Sequence, residues 1–127
     1  MDRDLAFALD LADLADALTL RRFGAVDLRV ETKPDLTPVT DADRAVERAL
    51  RERVAAERPA EGVLGEKEGD DGGGPACWVT DPIDGTRNFS RGIPVWASLI
   101  ALEGHGRVVA VSTNGLLHDE VLAFLAG

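Results

Sequence analysis

The near absence of cysteine excludes disulfide chemistry within this chain. Cys77 is the single cysteine among 127 residues, so no intrachain disulfide bond can form. Reduced thiols are typical of cytoplasmic proteins, and we therefore expect a cytoplasmic location. The chain has only two histidines, and with one cysteine these cannot build a structural zinc site.

The chain also lacks an excess of positive charge and any long hydrophobic run. Its formal net charge is −9, whereas binding to a nucleic-acid backbone requires a basic face. Five aspartates interrupt the first 20 residues, which breaks the pattern of a signal peptide and of a membrane span. We therefore expect no nucleic-acid partner and no membrane association, and a cation is the more natural ligand.

Common nucleophile and nucleotide motifs are absent as well. The sequence contains no G-x-S-x-G elbow and no P-loop. A phosphatase nucleophile of the D-x-D-G-T type is not expected either, because the aspartates at 81 and 84 are three positions apart and Pro82 lies between them. These absences leave the corresponding catalytic mechanisms poorly supported.

What is present is the composition of one globular α/β domain, with 45% hydrophobic and 29% charged residues. Apolar residues at helical spacing predict a helix over 3–23 closed by Gly24, and a second over 41–57 capped by Thr40. Alternation at Val26, Leu28 and Val30 predicts a short strand. Further strands are predicted at 77–80, 93–102 and 107–113, a hairpin or loop at 70–75, and a closing helix at 117–125.

The stretch ACWVTDPIDGTRNF, residues 76–89, carries the chemistry. Asp81 follows an apolar strand, and Asp84 is predicted to cap a helix whose first N–H groups come from Gly85 and Thr86. Carboxylates, with the Ile83 carbonyl, are ligands that Mg²⁺ prefers, and a helix start favours phosphate. The pattern therefore predicts adjoining sites for a metal and a phosphate.

A second acidic element strengthens that hypothesis without excluding a plainer one. Glu66, in VLGEKEG, again follows an apolar run and offers a third carboxylate. Taken alone, D-x-x-D is compatible with a helix cap beside a solvated Asp81, and Glu66 with a charged surface loop. Both alternatives stay open at the level of residue pattern.

Three segments together resemble the inositol monophosphatase family of Mg²⁺-dependent phosphatases. They are PVTDADRAVE, GEKEG and WVTDPIDGTRNF, in that order within residues 33–103. The longer stretch DPIDGTRNFSRGIPVWASLIAL is similar to the family's bacterial histidinol-phosphatase branch. The resemblance implies a small phosphorylated metabolite as substrate, Mg²⁺ as cofactor, a role in histidine biosynthesis and a layered α/β, sugar-phosphatase-like fold.

The resemblance also implies roles for individual residues. Glu66, Asp81 and the Ile83 carbonyl would hold a first Mg²⁺, and Asp81 with Asp84 a second. Gly85 and Thr86 would cradle the phosphate through backbone N–H groups, and Thr86 with Asp43 would help activate water. Arg87 and Ser90 are the nearby candidates for substrate contact.

The sequence departs from the family in two ways. Lys67 replaces the usual second glutamate of the G-E-E element, which places a cation beside a proposed ligand. The W-D-x-A-A-G signature, which supplies another aspartate to the second metal, is absent, since neither tryptophan is followed by aspartate. Residues 1–108 resemble the family's N-terminal half and 109–127 its extreme C-terminus, so the single domain, 1–127, is expected to be internally shortened.

Two functional hypotheses follow from these features. The first is a Mg²⁺-dependent phosphomonoesterase, and the second is a catalytically impaired remnant that binds metal weakly or binds a partner chain. In either case we expect two N-terminal helices on a largely antiparallel sheet that is incomplete relative to the family. Apolar strand residues such as Val95, Ala97, Leu99 and Ala101 should then lack partners, which favours a homodimer.

Overall fold

The computed structural model describes residues 2–65, 69–71, 76–104 and 107–114. Two long helices dominate its N-terminal part, and both predicted helices are confirmed. Helix α1 spans Arg3–Arg22, and the Asp2 carboxylate caps it by accepting hydrogen bonds from the backbone N–H groups of residues 4 and 5. Helix α2 spans Asp41–Glu57 and starts with a capping box between Thr40 and Asp43.

A two-stranded antiparallel ribbon connects the helices, but not where the alternation predicted it. Strand β1 is Val30–Thr32 and pairs with β2, Pro38–Thr40. The prediction of a strand from residue 26 is wrong, because residues 25–28 form a turn closed by the Leu28 N–H and the residue 25 carbonyl, 3.3 Å apart. The Arg22 guanidinium stabilises this turn by donating to the Asp27 side chain at 2.9 Å.

Within the described residues, the main sheet has five strands: β3 (Gly62–Gly65), β4 (Gly69–Asp71), β5 (Ala76–Asp84), β6 (Ala97–Gly104) and β7 (Arg107–Thr113). Their order in the sheet is β4-β3-β5-β6-β7. Strands β3 and β5 are parallel, and the other three pairings are antiparallel, so the predicted largely antiparallel sheet is confirmed. The short helix α3, Thr86–Ser90, follows β5. Strand β6 begins later than the predicted residue 93.

In the part of the chain that the structure describes, the core consists of two hydrophobic clusters, each containing one tryptophan. The larger cluster packs α1 and α2 on one face of the sheet around Trp78, which is fully buried and contacts Phe7 edge-on. The smaller cluster lies beneath α3, where Trp96 and Phe89 contact with ring centroids 5.0 Å apart. The second cluster also includes Ile83, which places the end of β5 on a packed support.

Arg58 joins three elements at the far end of the larger cluster. Its Nη1 lies 3.0 Å from an Asp4 carboxylate oxygen and 2.9 Å from a Glu61 carboxylate oxygen. The guanidinium also lies over the Phe7 ring, 4.8 Å from the centroid. Burial alone would lower the pKa of Arg58, but the hydrogen bonds that its guanidinium donates to Asp4 and Glu61, together with their negative charges, raise the pKa overall. The start of α1 is thereby tied to the end of α2.

The opposite face of the sheet is apolar, and both long helices pack away from it. We call this surface, formed by Leu64, Val79, Leu99, Ala101 and Ala110, the outer sheet face. Four of these residues form one row across β3, β5, β6 and β7, because 64 pairs with 79, 79 with 101, and 101 with 110. Leu99 is 36% exposed, as expected for a strand residue without a covering layer.

Several predicted features lie outside the described residues. These are Glu66 and Lys67, the GGGP part of the predicted loop, and the closing helix at 117–125. No helix in the described ranges combines the length and apolar character needed to cross a membrane.

Candidate functional site

The end of β5 carries an irregularity that sets up the site. The pairing of β5 with β6 shifts register between Asp81 and Asp84, so the intervening residues leave the regular ladder. Ser98, fully buried on β6, donates from Oγ to the Pro82 carbonyl oxygen at 2.7 Å. Because proline has no N–H to pair in a sheet, this bond from a side chain holds the irregular segment to β6.

Thr86 and Asp43 form a buried pair next to this segment. The Thr86 hydroxyl lies 3.0 Å from Asp43 Oδ1 and 2.9 Å from the Ile83 carbonyl oxygen, and it can donate to either. The other carboxylate oxygen of Asp43 accepts from the Thr40 N–H at 2.8 Å and from the Thr40 hydroxyl at 2.7 Å. Asp43 is fully buried, so the helix cap of α2 fixes the acceptor that orients Thr86.

Gly85 connects β5 to α3 at a point where the backbone passes close to residues 95 and 96. Its φ of +91° lies in the left-handed region, and it is the N-cap of α3 without a side-chain cap bond. A Cβ at this position would lie 2.9 Å from the Val95 carbonyl oxygen. The prediction that Asp84 caps the helix is therefore wrong: Asp84 is the last residue of β5, and the turn is one residue further on.

The end of β5 and the start of α3 form one wall of a groove of about 300 Å³. Its second wall is the tip of the β1–β2 ribbon, where hydrogen bonds from the Thr37 side chain and backbone, with a smaller contribution from the charge of Lys33, hold the pKa of Asp35 below its usual value. Both cationic and anionic side chains thus face the groove. The lining residues are Lys33, Asp35, Thr37, Pro38, Asp81, Ile83, Asp84, Gly85, Thr86 and Arg87.

The structure brings most of the predicted site residues together. Those at positions 81 and 83–87 share the groove, and Asp43 lies directly behind Thr86. Ser90 is not among the groove residues, and its hydroxyl donates to the Arg87 carbonyl oxygen within α3 at 2.9 Å. The predicted ligand Glu66 lies outside the described residues.

The donor set at the groove suits a hard divalent cation. Asp81 and Asp84 supply carboxylate oxygens and Ile83 a carbonyl oxygen, which are the ligand types of Mg²⁺. No group of three or more metal-ligating side chains occurs among the residues the structure describes. The fit to Mg²⁺ is thus one of donor chemistry, carried by two carboxylates and one carbonyl oxygen.

Sequence reasoning missed two contributions to this site. Ser98 lies 16 positions from the carbonyl it holds, and no local pattern distinguishes it from other strand serines. The ribbon tip at Asp35 and Thr37 also lines the groove, although its prolines and aspartate signal only a turn. The Ser98 contact depends on the pairing of β5 with β6, and the ribbon tip lines the groove only because the folded chain brings it to the end of β5.

Comparison with known proteins gives a consistent result. The model of the inositol monophosphatase family matches residues 1–127. A histidinol-phosphatase of Mycobacterium tuberculosis is 63% identical over 119 residues, covering 89% of this chain and 45% of the relative. An inositol-1-monophosphatase of Rhizobium meliloti is 41% identical over 106 residues, covering 80% of this chain and 39% of the relative.

Solved structures agree with the sequence relatives. The extragenic suppressor protein suhB from Bartonella henselae superimposes with a TM-score of 0.82 at 32% identity, covering 89% of this chain and 45% of that one. An IMPase from Thermotoga maritima gives a TM-score of 0.79 at 34% identity, covering 90% and 44%. The chain thus spans less than half the length of these relatives, and its match to the family model and its fold show that it belongs to the inositol monophosphatase family.

Proposed function

We propose that the chain is the metal- and phosphate-binding part of a Mg²⁺-dependent phosphomonoester hydrolase that uses water as the nucleophile. The observation that carries this proposal is the Thr86–Asp43 pair, held at 3.0 Å beside a groove lined by Asp81, Ile83 and Asp84. Hydroxyl, carboxylate and carbonyl groups in this arrangement can orient a water and bind a hard cation.

The buried pair controls where the proton of Thr86 lies. An ionised Asp43 carboxylate has no proton to donate, so the Thr86 hydroxyl donates toward it or toward the Ile83 carbonyl oxygen. The lone pairs of Thr86 Oγ1 are then free to accept a hydrogen bond from a water in the groove. A proton taken from that water at Thr86 Oγ1 can be relayed to Asp43, whose position is fixed by Thr40.

The remaining groove residues suit the phosphate. Gly85 and Thr86 begin α3, where backbone N–H groups have no partner within the helix. Arg87 and Lys33 add positive charge at the rim and can bind phosphate oxygens. Mg²⁺, when bound, lowers the pKa of water and stabilises the leaving oxygen.

Histidinol phosphate is the preferred substrate in this proposal, with an inositol phosphate second. The relative named as a histidinol-phosphatase is 63% identical to this chain, against 41% for the one named as an inositol-1-monophosphatase. The proposal places the protein in cytoplasmic histidine biosynthesis.

A second candidate is a catalytically impaired protein that still binds metal. Two observations favour it. Fewer than three metal-ligating side chains cluster among the described residues, and the match to this chain covers 45% of the histidinol-phosphatase relative. Mg²⁺ bound by so few ligands keeps many waters and binds weakly. We therefore expect millimolar Mg²⁺ binding and a turnover at least about 100-fold below that of the full-length relative, a difference near 2.7 kcal/mol.

Phosphate release from histidinol phosphate, inositol 1-phosphate and an adenosine bisphosphate, with and without Mg²⁺, tests the proposal. Thr86→Val keeps the side-chain shape but removes the hydroxyl, and we expect Mg²⁺-dependent release to fall by about 100-fold. Thr86→Ser keeps the hydroxyl and should stay within about tenfold of the parent. Metal-independent release, or equal activity of the two variants, contradicts the proposal. Mg²⁺ binding without any phosphate release favours the impaired protein.

A further inference from the structure

The backbone of residues 94–96 passes close to the turn at Gly85 but has little apolar packing of its own. A Cβ on Gly85 would lie 2.9 Å from the Val95 carbonyl oxygen and 3.3 Å from Trp96 Cα. Ile93 and Val95 are 41% and 65% exposed, whereas Trp96 is buried in the smaller cluster. The position of this segment must therefore depend largely on hydrogen bonds to its backbone.

Regular sheet pairing stops short of this segment within the described residues. The pairing of β6 extends to Ala97 on the β5 side and to Ser98 on the β7 side. The carbonyl groups that precede these two positions therefore need donors from outside the sheet ladder.

Two asparagine side chains supply these donors. Asn114 follows the end of β7, and its Nδ2 donates to the Trp96 carbonyl oxygen at 2.8 Å and to the Pro94 carbonyl oxygen at 3.3 Å. Asn88, on α3, donates from Nδ2 to the Val95 carbonyl oxygen at 2.9 Å. Three consecutive carbonyl groups are thus each held by a side-chain amide.

The segment held in this way borders residues that the proposed function uses. A second groove, of about 400 Å³, is lined by Asp84, Gly85, Asn88, Val95, Trp96 and Ala97. It shares Asp84 and Gly85 with the candidate metal groove. A displacement of the Val95 carbonyl group would therefore alter the space into which the Gly85 backbone fits.

We propose that Asn114 is a positioning residue for the turn at Gly85 and Thr86, whose N–H groups are assigned to phosphate above. By holding the carbonyl groups on either side of Val95, it fixes residues 94–96, and these fix how the Gly85 backbone turns into α3. Asn114 is not among the lining residues of either groove, so its effect passes through this segment. The consequence for phosphate rests on the proposed function, whereas the consequence for the Gly85 backbone does not.

Two substitutions at position 114 test the proposal. Asn114→Asp keeps the side-chain shape, but an ionised carboxylate has no N–H to donate and repels the two carbonyl oxygens. Asn114→Leu removes the donors without adding charge. We expect both changes to shift the NMR resonances of the Gly85 and Thr86 backbone amides in the 127-residue chain. With Mg²⁺ present, both should weaken the binding of inorganic phosphate by at least about tenfold in calorimetry.

Thr113→Val is the matched control. The Thr113 hydroxyl, on the preceding residue, donates to an Asp16 carboxylate oxygen on α1 at 2.9 Å. Its removal should lower stability but leave the Gly85 amide resonance and the phosphate affinity unchanged. Asn114→Gln keeps an amide on a longer side chain and should recover part of the phosphate affinity. Circular dichroism verifies that the variants fold, and the neutral Asn114→Leu decides the outcome if the charged variant does not fold.

Three results would overturn the inference. The first is that the Gly85 and Thr86 amide resonances stay in place in the folded Asn114 variants. The second is an equal loss of phosphate affinity in Thr113→Val, which assigns the effect to general destabilisation. The third is unchanged phosphate affinity in the Asn114 variants of a chain that binds phosphate. A parent chain that binds no phosphate contradicts the proposed function instead, and shifted amide resonances in the Asn114 variants alone then still support the positioning of the turn.

Discussion

Replacing Gly85 by alanine should destabilise the protein through two separate effects. The φ of +91° is unfavourable for alanine by about 1–2 kcal/mol. The added Cβ would also lie 2.9 Å from the Val95 carbonyl oxygen and 3.3 Å from Trp96 Cα. These are backbone atoms that cannot rotate away, so the strand start must move, and overpacking of this kind costs about 1–3 kcal/mol. We expect Gly85→Ala to lower the free energy of unfolding by about 3 kcal/mol.

Gly92→Ala is the matched control, because it separates strain from contact. Gly92 has a similar φ of +74°, but a Cβ there would meet no atom within 4 Å. Its substitution should therefore cost only the conformational part, about 1 kcal/mol. Urea titration followed by circular dichroism measures both variants, and thermal midpoints should fall by roughly 10 °C for Gly85→Ala and roughly 4 °C for the control. Equal losses in the two variants would refute the close approach of Gly85 to residues 95 and 96.

Three further predictions concern other contacts. Ser98→Ala should cost about 1–3 kcal/mol of stability and should also weaken Mg²⁺ binding in calorimetry. Thr19→Val changes an equally buried hydroxyl that does not line the groove and should reduce stability alone, so equal Mg²⁺ affinities of the two variants would contradict a positioning role for Ser98. Asp81→Asn should weaken Mg²⁺ binding more than Glu66→Gln, because the proposed role of Asp81 involves both ions, and the reverse ranking counts against that role. Arg58→Ala should lose about 2 kcal/mol in urea titration, and a loss below about 0.5 kcal/mol would show that its two ion pairs are only surface contacts.

Local patterns predicted the elements whose stabilising contacts are themselves local. The bounds of α2 follow from Thr40 and its capping box with Asp43, three residues apart, together with a regular apolar face. The same holds for the acidic end of β5, where apolar alternation ends at the two aspartates. For these features the sequence was sufficient because the interacting groups lie within one helical turn or one strand.

Features that depend on specific side-chain contacts, rather than on hydrophobic periodicity, could not be predicted in this way. The alternation at Val26 and Leu28 is typical of a strand, but Arg22 binds Asp27 and closes a turn instead. The support of the Pro82 carbonyl by Ser98 depends on the pairing of β5 with β6, which no local pattern specifies. In both cases a contact that forms only in the folded chain overrides the secondary-structure propensity of the local sequence.

The division of the core into two clusters gives the protein two separate intrinsic fluorophores. Trp78 is the single tryptophan of the larger cluster and Trp96 that of the smaller one, and the chain has no tyrosine. Replacing either tryptophan by phenylalanine leaves an emission that reports on one cluster alone. Quenching and spectral shifts of Trp96 then follow local opening beneath α3, next to the groove, while those of Trp78 follow the loss of helix packing on the sheet. The order in which the two halves of the core open on heating can thus be read optically, without an attached label.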